Sequence, residues 1–307
     1  MKTISCNICG STESDKLLDG YDRYTTLDKT VFTLVTCRNC GLVYMNPQPS
    51  MEELAKYYPE DYPPYHPHDI FAYGPILRTV QRIYHTIRPP RAHTVPTQKF
   101  ISTDASVKKV LDFGCGAGHT LIKLQLEHPK WELFGFDIST NKEVKQVGNV
   151  TIYYDDFARM ESDFEPNSFD IIYLNNVLEH VHDPHDTLTR LRALLKPGSE
   201  MIIEIPNITS IKFRIFGKYF SSLEIPRHLY HFSPDTIRKV CEKSNLKIDS
   251  LQYVGSPKST LWSIHYALGI NKRTFNPIAY RAIDMMTKIL GEKRINDDSM
   301  IVHASHT

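Results

Sequence analysis

The sequence predicts an α/β fold with a doubly wound parallel sheet, preceded by a small N-terminal module. An apolar run at residues 110–113 passes into a turn with glycines at alternate positions, Gly114, Gly116 and Gly118. Several later apolar segments of strand length each end in an acid or an amide, a pattern typical of parallel strands whose carboxyl ends form a binding edge. Two Cys-x-x-Cys-Gly sequences near the N-terminus indicate a separate segment.

The composition is that of an ordinary globular protein. The chain has 307 residues, of which 41% are hydrophobic, and a formal net charge of +1. This balance gives no overall attraction to nucleic acid or anionic lipid. No stretch approaches the ~20 uninterrupted apolar residues of a membrane span, and residues 1–6 lack the apolar segment of a secretory signal. We therefore expect a cytoplasmic protein without a membrane span.

Two cysteine pairs predict a structural zinc site. Cys6 and Cys9 form the first pair, and Cys37 and Cys40 form the second. In a reducing compartment this pattern favours metal ligands over disulfides. Four thiolates at tetrahedral corners suit Zn²⁺, and a site without an open position is structural rather than catalytic. We expect residues 1–48 to form a zinc ribbon that depends on the metal, because fewer than ~50 residues bury little apolar surface.

Regular structure is expected on both sides of the second cysteine pair. Strand-like segments at 17–18 and 31–36 predict a β-hairpin between the pairs. A short helix is predicted over 50–58, with Ser50 as N-cap and Glu53 completing a capping box.

Residues 49–94 are interpreted as a linker. After its short helix comes a stretch at 59–67 rich in Pro, Tyr and His, which predicts a loop. A basic amphipathic helix is predicted over 71–88. Such a helix packs between domains or lies on a membrane surface, and the sequence leaves both fates open.

The glycine turn is the centre of the predicted ligand site. Glycine permits unusual backbone dihedrals and lets a ligand lie against the backbone. A helix should follow, with its N-terminal amides facing the ligand. Its apolar positions are Leu121, Ile122, Leu124 and Leu126. A dinucleotide fold has Gly-x-Gly-x-x-Gly, whereas here the spacing is Gly-x-Gly-x-Gly and Asp112 precedes it. An acid in that place suits a cation better than a pyrophosphate.

Further strands place polar residues at the same edge of the sheet. Strands are predicted at 110–113, 131–136, 150–154, 169–174, 201–205 and 299–305. The carboxyl ends of the first four hold Asp112 with the glycine turn, Asp137, Asp156 and Asn175. The carboxyl ends of parallel strands share one edge, where ligands bind in doubly wound folds. There Asp137 would accept hydrogen bonds from ribose hydroxyls. Residues 259–292 are predicted to form a helical insertion.

At these motifs the chain resembles the class I S-adenosylmethionine (SAM)-dependent methyltransferases. The segment Leu-Glu-His-Val-His-Asp-Pro at 178–184 is typical of a branch that includes the ubiquinone-pathway O-methyltransferases. The resemblance implies a doubly wound, seven-stranded Rossmann-like methyltransferase sheet over residues 95–307, with SAM as cofactor. It also implies that Asp156 accepts from the adenine amino group and that Phe157 packs on the ring. The predicted SAM-binding residues are Asp112, Gly114, Gly116, Gly118, Asp137, Ile138, Asp156, Phe157 and Asn175.

The N-terminal segment carries a second resemblance. The cysteine pairs, followed by Gly-Leu-Val-Tyr-Met-Asn-Pro-Gln-Pro at 41–49, are similar to the N-terminal module of bacterial zinc-ribbon methyltransferases, which include sugar C-methyltransferases. In those relatives the module helps to cover the acceptor site. This implies acceptor contacts for Tyr57, Tyr58, Tyr62 and Tyr65, with packing on the core as the alternative for each.

Methyl transfer to oxygen or carbon also requires a proton acceptor. Residues 226–234 hold two candidates, His228 as base or acceptor contact and His231 as the second choice. A structural role in holding this loop is the alternative for both. The loop should end at a helix with Ser233 as N-cap and Pro234 in its first position.

Two other sets of residues leave alternatives open. His180, His182 and His185 are close enough in sequence to converge on a metal. The basic residues Lys212, Arg214, Lys218 and Arg227 form either a site for an anionic acceptor or a solvated basic face.

The sequence as a whole predicts a SAM-dependent methyltransferase acting on a small molecule. The expected acceptor is a sugar or nucleotide-sugar in the biosynthesis of a surface polysaccharide or secondary metabolite. An RNA methyltransferase that binds nucleic acid through the zinc module is one alternative, although the near-neutral net charge of the chain counts against it. A non-catalytic module that binds SAM as a regulator is the other alternative.

Overall fold

The computed structural model describes residues 1–24, 29–58, 107–138, 143–155, 160, 162–255, 257–270, 282–283, 285 and 297–306. The chain divides into two compact units. The first unit comprises Met1–Pro59 and Phe164–Thr307, and the second comprises Glu60–Asp163. None of the helices formed by the described residues is long and apolar enough to cross a bilayer.

Several predicted features lie outside the described residues. They are the loop at 59–67 with Tyr62 and Tyr65, the helix over 71–88, Asp156, Phe157 and most of the insertion at 259–292. These features stay predictions.

The first unit begins with a small antiparallel sheet. Strands β1 (Ser14–Gly20), β2 (Phe32–Cys37) and β3 (Val43–Met45) are joined at the far edge by β10 (Tyr230–His231), in the order β1-β2-β3-β10. The predicted hairpin between the cysteine pairs is confirmed as β1 and β2. Strands of two or three residues, such as β3 and β10, are too short to show a period-2 pattern in a sequence.

The first helix follows this sheet and has the predicted N-terminus. Helix α1 (Met51–Ala55) is capped by Ser50, whose side chain accepts from the Glu53 amide, while the Glu53 side chain accepts from the Ser50 amide. The reciprocal capping box is thus confirmed. The helix ends at Ala55, earlier than predicted, and buries Leu54.

The second unit contains four strands of α/β type. Strands β4 (Lys109–Phe113), β5 (Glu132–Ile138), β6 (Glu143–Val147) and β7 (Val150–Asp155) lie in the order β4-β5-β7-β6. Strands β4, β5 and β7 are parallel, and β6 pairs antiparallel with β7. All five residues of β6 are exposed, so no apolar pattern predicted it.

The predicted helix after the glycine turn is α2 (His119–Glu127). It buries Thr120, Leu121 and Leu124. Leu126, another of the apolar positions noted in the sequence, is 80% exposed. The helix ends one residue later, and Leu126 lies on its outer side.

The rest of the first unit contains four more strands. Strands β8 (Phe169–Asn175), β9 (Leu195–Pro206), β11 (Leu246–Val254) and β12 (Ser299–His306) lie in the order β11-β12-β9-β8. Strands β8 and β9 are parallel, whereas β12 is antiparallel to both β9 and β11. The prediction of a final strand near 299–305 is confirmed.

Four further α-helices are described in the first unit. They are α3 (Pro184–Leu194), α4 (Ile211–Phe216), α5 (Pro234–Lys243) and α6 (Pro257–Ala267). Helix α5 begins as predicted, with Ser233 as N-cap and Pro234 in the first turn, and Thr236 completes a capping box. The α/β fold class with a small N-terminal antiparallel sheet is confirmed. The described α/β strands number eight rather than the predicted seven.

Candidate active site

The glycine turn of the second unit has the backbone that its sequence predicts. Gly114, Gly116 and Gly118 have φ of +75°, +52° and +79°, a backbone region that residues other than glycine rarely adopt. The amides of Gly114 and Cys115 both donate to the carbonyl of Phe136, at 2.7 and 3.1 Å. Two backbone hydrogen bonds therefore hold the turn against β5 near its end.

Asp137 at the end of β5 holds the middle of this turn. Its Oδ2 accepts from the amide of Gly116 at 2.5 Å. The hydroxyl of Tyr154, on the neighbouring strand β7, donates to the carbonyl of Gly116 at 3.0 Å. Burial raises the pKa of Asp137 to about 6, although the Gly116 amide partly offsets the effect. Tyr154 was not predicted as part of the site, because a tyrosine within a strand gives no sign of such a contact.

Asp112 is a buried acid beside the same turn. Its side chain is 2% exposed, and Oδ1 has no hydrogen-bond partner among the residues described. Burial, with a contribution from the charge of Asp137, raises the pKa of Asp112 to about 8. Burial suppresses the ionisation of both acids, and the charge of Asp137 adds to the effect at Asp112. A positively charged ligand would stabilise both carboxylates. This chemistry fits the sulfonium and ammonium groups of SAM.

The remaining predicted cofactor residues are more scattered. Ile138 ends β5 and is 53% exposed, and Asp155, the last residue of β7, is buried. Asn175 ends β8 in the first unit, where its Oδ1 accepts from Asn176 at 2.8 Å. The structure therefore groups Asp112, Asp137 and the glycines in the second unit and places Asn175 in the first.

The four N-terminal cysteines come together in the first unit and form the four-cysteine site, Cys6, Cys9, Cys37 and Cys40. Their sulfurs all lie within 4.8 Å of one another, with Cys6 and Cys40 at 3.4 Å and Cys9 and Cys37 at 3.5 Å. Tetrahedral Zn–S bonds of about 2.3 Å place neighbouring sulfurs about 3.8 Å apart. The donor set and its spacing therefore fit Zn²⁺.

Helix α5 is hydrogen-bonded to the segments that carry the four-cysteine site. The ammonium groups of Lys239 and Lys243 donate to the carbonyls of Cys40 and Asn7, at 3.0 and 2.7 Å. The Asn7 amide donates to Asp183, the N-cap of α3, at 2.8 Å. Two cations beside a group of thiolates also favour the negative charge that four metal-bound thiolates carry.

A second group of side chains in the first unit, here called the histidine cluster, comprises Glu179, His180 and His228. One ligand atom from each lies within 4.8 Å of the others. Nε2 of His228 is 3.9 Å from Glu179 Oε1 and 3.9 Å from Glu224 Oε2. Both carboxylate oxygens of Glu179 are buried without a hydrogen-bond partner among the described residues. Glu179 was not predicted as a site residue from the sequence.

Backbone carbonyls orient both imidazoles of the cluster. Nδ1 of His228 lies 2.9 Å from the carbonyl of Ser222, and Nδ1 of His180 lies 3.1 Å from the carbonyl of Arg227. A carbonyl only accepts, so a proton on each Nδ1 satisfies these contacts and leaves Nε2 with its lone pair. The Tyr58 hydroxyl, 3.0 Å from Nδ1 of His180, is compatible with this tautomer.

Burial keeps the histidines of this region neutral. It lowers the pKa of His180 to about 4, of His231 to about 3 and of His228 well below its ordinary value. Burial also raises the pKa of Glu179 well above its ordinary value. His231 lies on β10, and its ring centroid is 6.1 Å from that of His228. Nε2 of His231 is buried without a partner among the described residues.

The hypothesis that His180, His182 and His185 converge on a metal is wrong. The geometry groups His180 with Glu179 and His228 rather than with His182 and His185, since His182 faces the Pro49 carbonyl and His185 faces the Ser244 hydroxyl.

The interpretation of the four basic residues at 212–227 as a solvated face is wrong for two of them. Arg227 and Lys212 are each 1% exposed and pair with Asp22 and Asp298, at 3.1 and 2.6 Å.

Comparison with known proteins identifies the family. A family model described as a methyltransferase domain matches residues 84–251, more than half of the chain. The chain belongs to this methyltransferase family. The protein is a SAM-dependent methyltransferase, as the glycine turn and the segment at 178–184 predicted.

Several relatives resemble this methyltransferase. The ubiquinone biosynthesis O-methyltransferase of Actinobacillus pleuropneumoniae is 26% identical over 162 residues, 47% of this chain and 68% of the relative. That of Methylococcus capsulatus is 22% identical over 200 residues, 61% of this chain and 82% of the relative. A solved SAM-dependent methyltransferase from Archaeoglobus fulgidus is 19% identical, covering 68% of this chain and 90% of its own, with a TM-score of 0.46.

Proposed function

We propose that this methyltransferase transfers a methyl group from SAM to a small-molecule acceptor that contains a sugar, after the acceptor loses a proton. The observation that carries the proposal is the histidine cluster, where Nε2 of His228 lies 3.9 Å from Glu179, whose buried oxygens have no hydrogen-bond partner among the described residues. The names of the ubiquinone biosynthesis O-methyltransferases support a small acceptor and transfer to oxygen.

The donor side of the proposal uses the second unit. SAM supplies an activated methyl group on a positively charged sulfur. Asp137 would accept from the ribose hydroxyls, and the backbone of Gly114, Gly116 and Gly118 would lie against the cofactor. Asp112 would balance its positive charge. Asp156 and Phe157 remain the residues predicted for adenine, and Ile138 and Asn175 complete the predicted set.

On the acceptor side, His228 would be the base. Its Nδ1 is fixed by the Ser222 carbonyl, so Nε2 has a lone pair to receive a proton from an acceptor hydroxyl. A neutral imidazole is the form that can act as a base, and burial holds His228 in that form. His231 is the second candidate because its buried Nε2 has no hydrogen-bond partner among the described residues.

A sugar-containing acceptor is supported by two features. Its hydroxyl groups are hydrogen-bond donors, which the oxygens of Glu179 and Nε2 of His231 lack within the described part of the chain. The resemblance of residues 1–49 to the module of sugar C-methyltransferases points to the same class. The four-cysteine site would hold a structural Zn²⁺ and stabilise this module. The cytoplasmic location stays a prediction.

The test is a methyl-transfer assay with full-length protein and methyl-labelled SAM. Nucleotide sugars, other sugar-containing small molecules, phenols and RNA are offered separately, and the products are weighed by mass spectrometry. We expect label in a sugar-containing small molecule. Label in phenols alone would contradict the sugar, and label in RNA alone would favour the nucleic-acid alternative. Tight SAM binding without transfer to any acceptor would favour the regulatory alternative.

A further inference from the structure

The buried carboxylate of Glu179 is an unusual feature of the first unit. Glu179 is 1% exposed, and neither of its oxygens receives a hydrogen bond from the described residues. Burial disfavours the ionised form of this carboxyl and raises its pKa well above the ordinary value. A bound metal ion is a partner that would stabilise the buried carboxylate. Nε2 of the neutral His228 lies 3.9 Å from Oε1 of Glu179, beyond hydrogen-bonding distance.

The donor set around this carboxylate is that of a metal site. We propose that Glu179, His180 and His228 bind a divalent first-row transition-metal ion, with Zn²⁺ as the representative, in addition to the ion of the four-cysteine site. Two imidazoles and one carboxylate are the ligands of many zinc and non-haem iron sites, and three protein ligands leave an open position. Their ligand atoms already lie within 4.8 Å of one another, so small side-chain movements bring them to bonding distance.

The surroundings of the imidazoles favour metal binding. The carbonyls of Ser222 and Arg227 face Nδ1 of His228 and of His180. Such contacts fix the tautomer of metal-binding histidines and orient the lone pair of Nε2 toward the ion. The ring centroids of the two histidines are 4.5 Å apart with planes at 88°, so the imidazoles do not stack on each other and block the site.

The charges near the cluster also favour a cation. Glu224 lies 3.9 Å from Nε2 of His228 and 3.6 Å from the Arg227 side chain. Arg227 is paired in turn with the buried Asp22 at 3.1 Å. With Glu179 ionised, the acids of this group outnumber its arginine, which favours a bound cation.

This inference rests on the proposed function for what fills the open position. There an acceptor hydroxyl would coordinate to the ion, which lowers the pKa of the bound hydroxyl. Its proton would pass to Nε2 of His231, which has no hydrogen-bond partner among the described residues. In the ion-free protein, Nε2 of His228 is available as a base. In the ion-bound protein the same atom holds the ion, so the variant His228→Gln loses both functions and activity alone does not separate them. Metal content does.

The experiment measures metal in the full-length protein. Protein stripped of metal is loaded with Zn²⁺ alone or Co²⁺ alone, freed of excess by gel filtration and analysed for metal per chain. We expect about two ions in the wild type and about one in Glu179→Gln. The matched control is Glu204→Gln, a neighbouring glutamate held by the Tyr173 hydroxyl at 3.3 Å, which should keep about two ions.

Cobalt spectra assign each ion to its site. Glu179→Gln should keep the thiolate-to-cobalt charge-transfer band, whereas Cys9→Ser should lose that band and keep the weaker nitrogen and oxygen spectrum. If Glu179→Gln does not fold, His228→Gln replaces it as the variant that removes one ligand of the proposed site. A wild type with only the thiolate-bound ion overturns the inference. If that protein still methylates an acceptor, the proposed function stands, and the cluster binds acceptor hydroxyls instead.

Discussion

The Gly116 amide and the Asp137 carboxylate are joined by a hydrogen bond of 2.5 Å. This bond links the glycine turn after β4 to the end of β5, and Tyr154 of β7 holds the other side of the same glycine. Three strands therefore fix the position of one carboxylate. A group held in place before the ligand arrives loses little conformational entropy on binding. Its hydrogen bonds therefore contribute more to the affinity for the cofactor.

Asp137→Ala should abolish tight SAM binding. The change removes a charged acceptor for the ribose hydroxyls and frees the Gly116 amide, and hydrogen bonds to charged groups contribute about 1.5–3 kcal/mol each. We expect affinity to fall by ~100-fold or more, measured by titration calorimetry. The control is Asp15→Ala, which removes an exposed acid paired with Arg38. Unchanged affinity in Asp137→Ala would remove this residue from the cofactor site.

SAM affinity should weaken as the pH falls. The free protein has a pKa of about 8 at Asp112 and about 6 at Asp137, and a positively charged ligand favours the ionised form of both. Protons must therefore leave on binding, and affinity falls by up to about tenfold per pH unit for each group below its pKa. Calorimetry in buffers of different ionisation enthalpy should show proton release near pH 7. Asp112→Asn should lose the step near pH 8 and retain the one near pH 6.

Local patterns explain why part of this structure could be predicted. The glycine turn, Asp137 and the capping boxes at Ser50 and Ser233 each depend on residues close in sequence or at the end of a predicted strand, so their signal is local. Strand β6 could not be predicted, because all of its residues are exposed and no burial pattern distinguishes it.

The histidine cluster depends on contacts that are distant in sequence. Glu179 meets His228 because the amide of Leu229 donates to the Glu179 carbonyl, at 2.8 Å. Arg227 is buried because it pairs with Asp22, 205 positions away. No sequence spacing reveals such pairs, so the sequence indicated His228 by its loop and resemblance but offered no partner for it.

His228→Ala should lower turnover while leaving SAM affinity intact. Loss of a proton acceptor costs about 10²–10⁴-fold in rate, and a metal ligand at the same position would be lost with it. Steady-state kinetics with the acceptor found by mass spectrometry measures the change, and calorimetry measures SAM binding. His306→Gln is the control, because His306 faces the Leu195 carbonyl on β9, away from the cluster. Wild-type turnover in His228→Ala would exclude this histidine from catalysis.

Removing the metal from the four-cysteine site should destabilise the first unit. Zinc bound by four thiolates contributes directly to folding, and its loss leaves buried thiols without their ligand. We expect Cys9→Ser, or a strong chelator, to cost at least ~3 kcal/mol, lowering the thermal midpoint by ~10 °C. Cys115→Ala should keep its zinc, since Cys115 lies in the glycine turn of the second unit. A chelator without effect on the midpoint would argue against structural zinc.

Gly118 offers a test that separates backbone strain from side-chain crowding. Its φ is +79°, and an added Cβ would lie 2.5 Å from Cδ1 of Ile152. Gly198 has φ of +73° and open space around it, so Gly198→Ala measures the backbone cost alone, about 1 kcal/mol. Gly118→Ala should cost ~1–3 kcal/mol more, because Ile152 is buried and must move, and it should also weaken SAM binding.

A double-mutant cycle isolates the crowding at Gly118. Ile152→Val deletes the Cδ1 atom that a new Cβ would strike, and alone it should cost about 0.5–1.5 kcal/mol. Combined with Gly118→Ala, it should restore part of the lost stability, giving a favourable coupling free energy of ~1 kcal/mol in urea unfolding. The same Ile152→Val change should give no coupling with Gly198→Ala. Additive losses at Gly118 would mean that strain in the turn, rather than the contact with β7, requires glycine there.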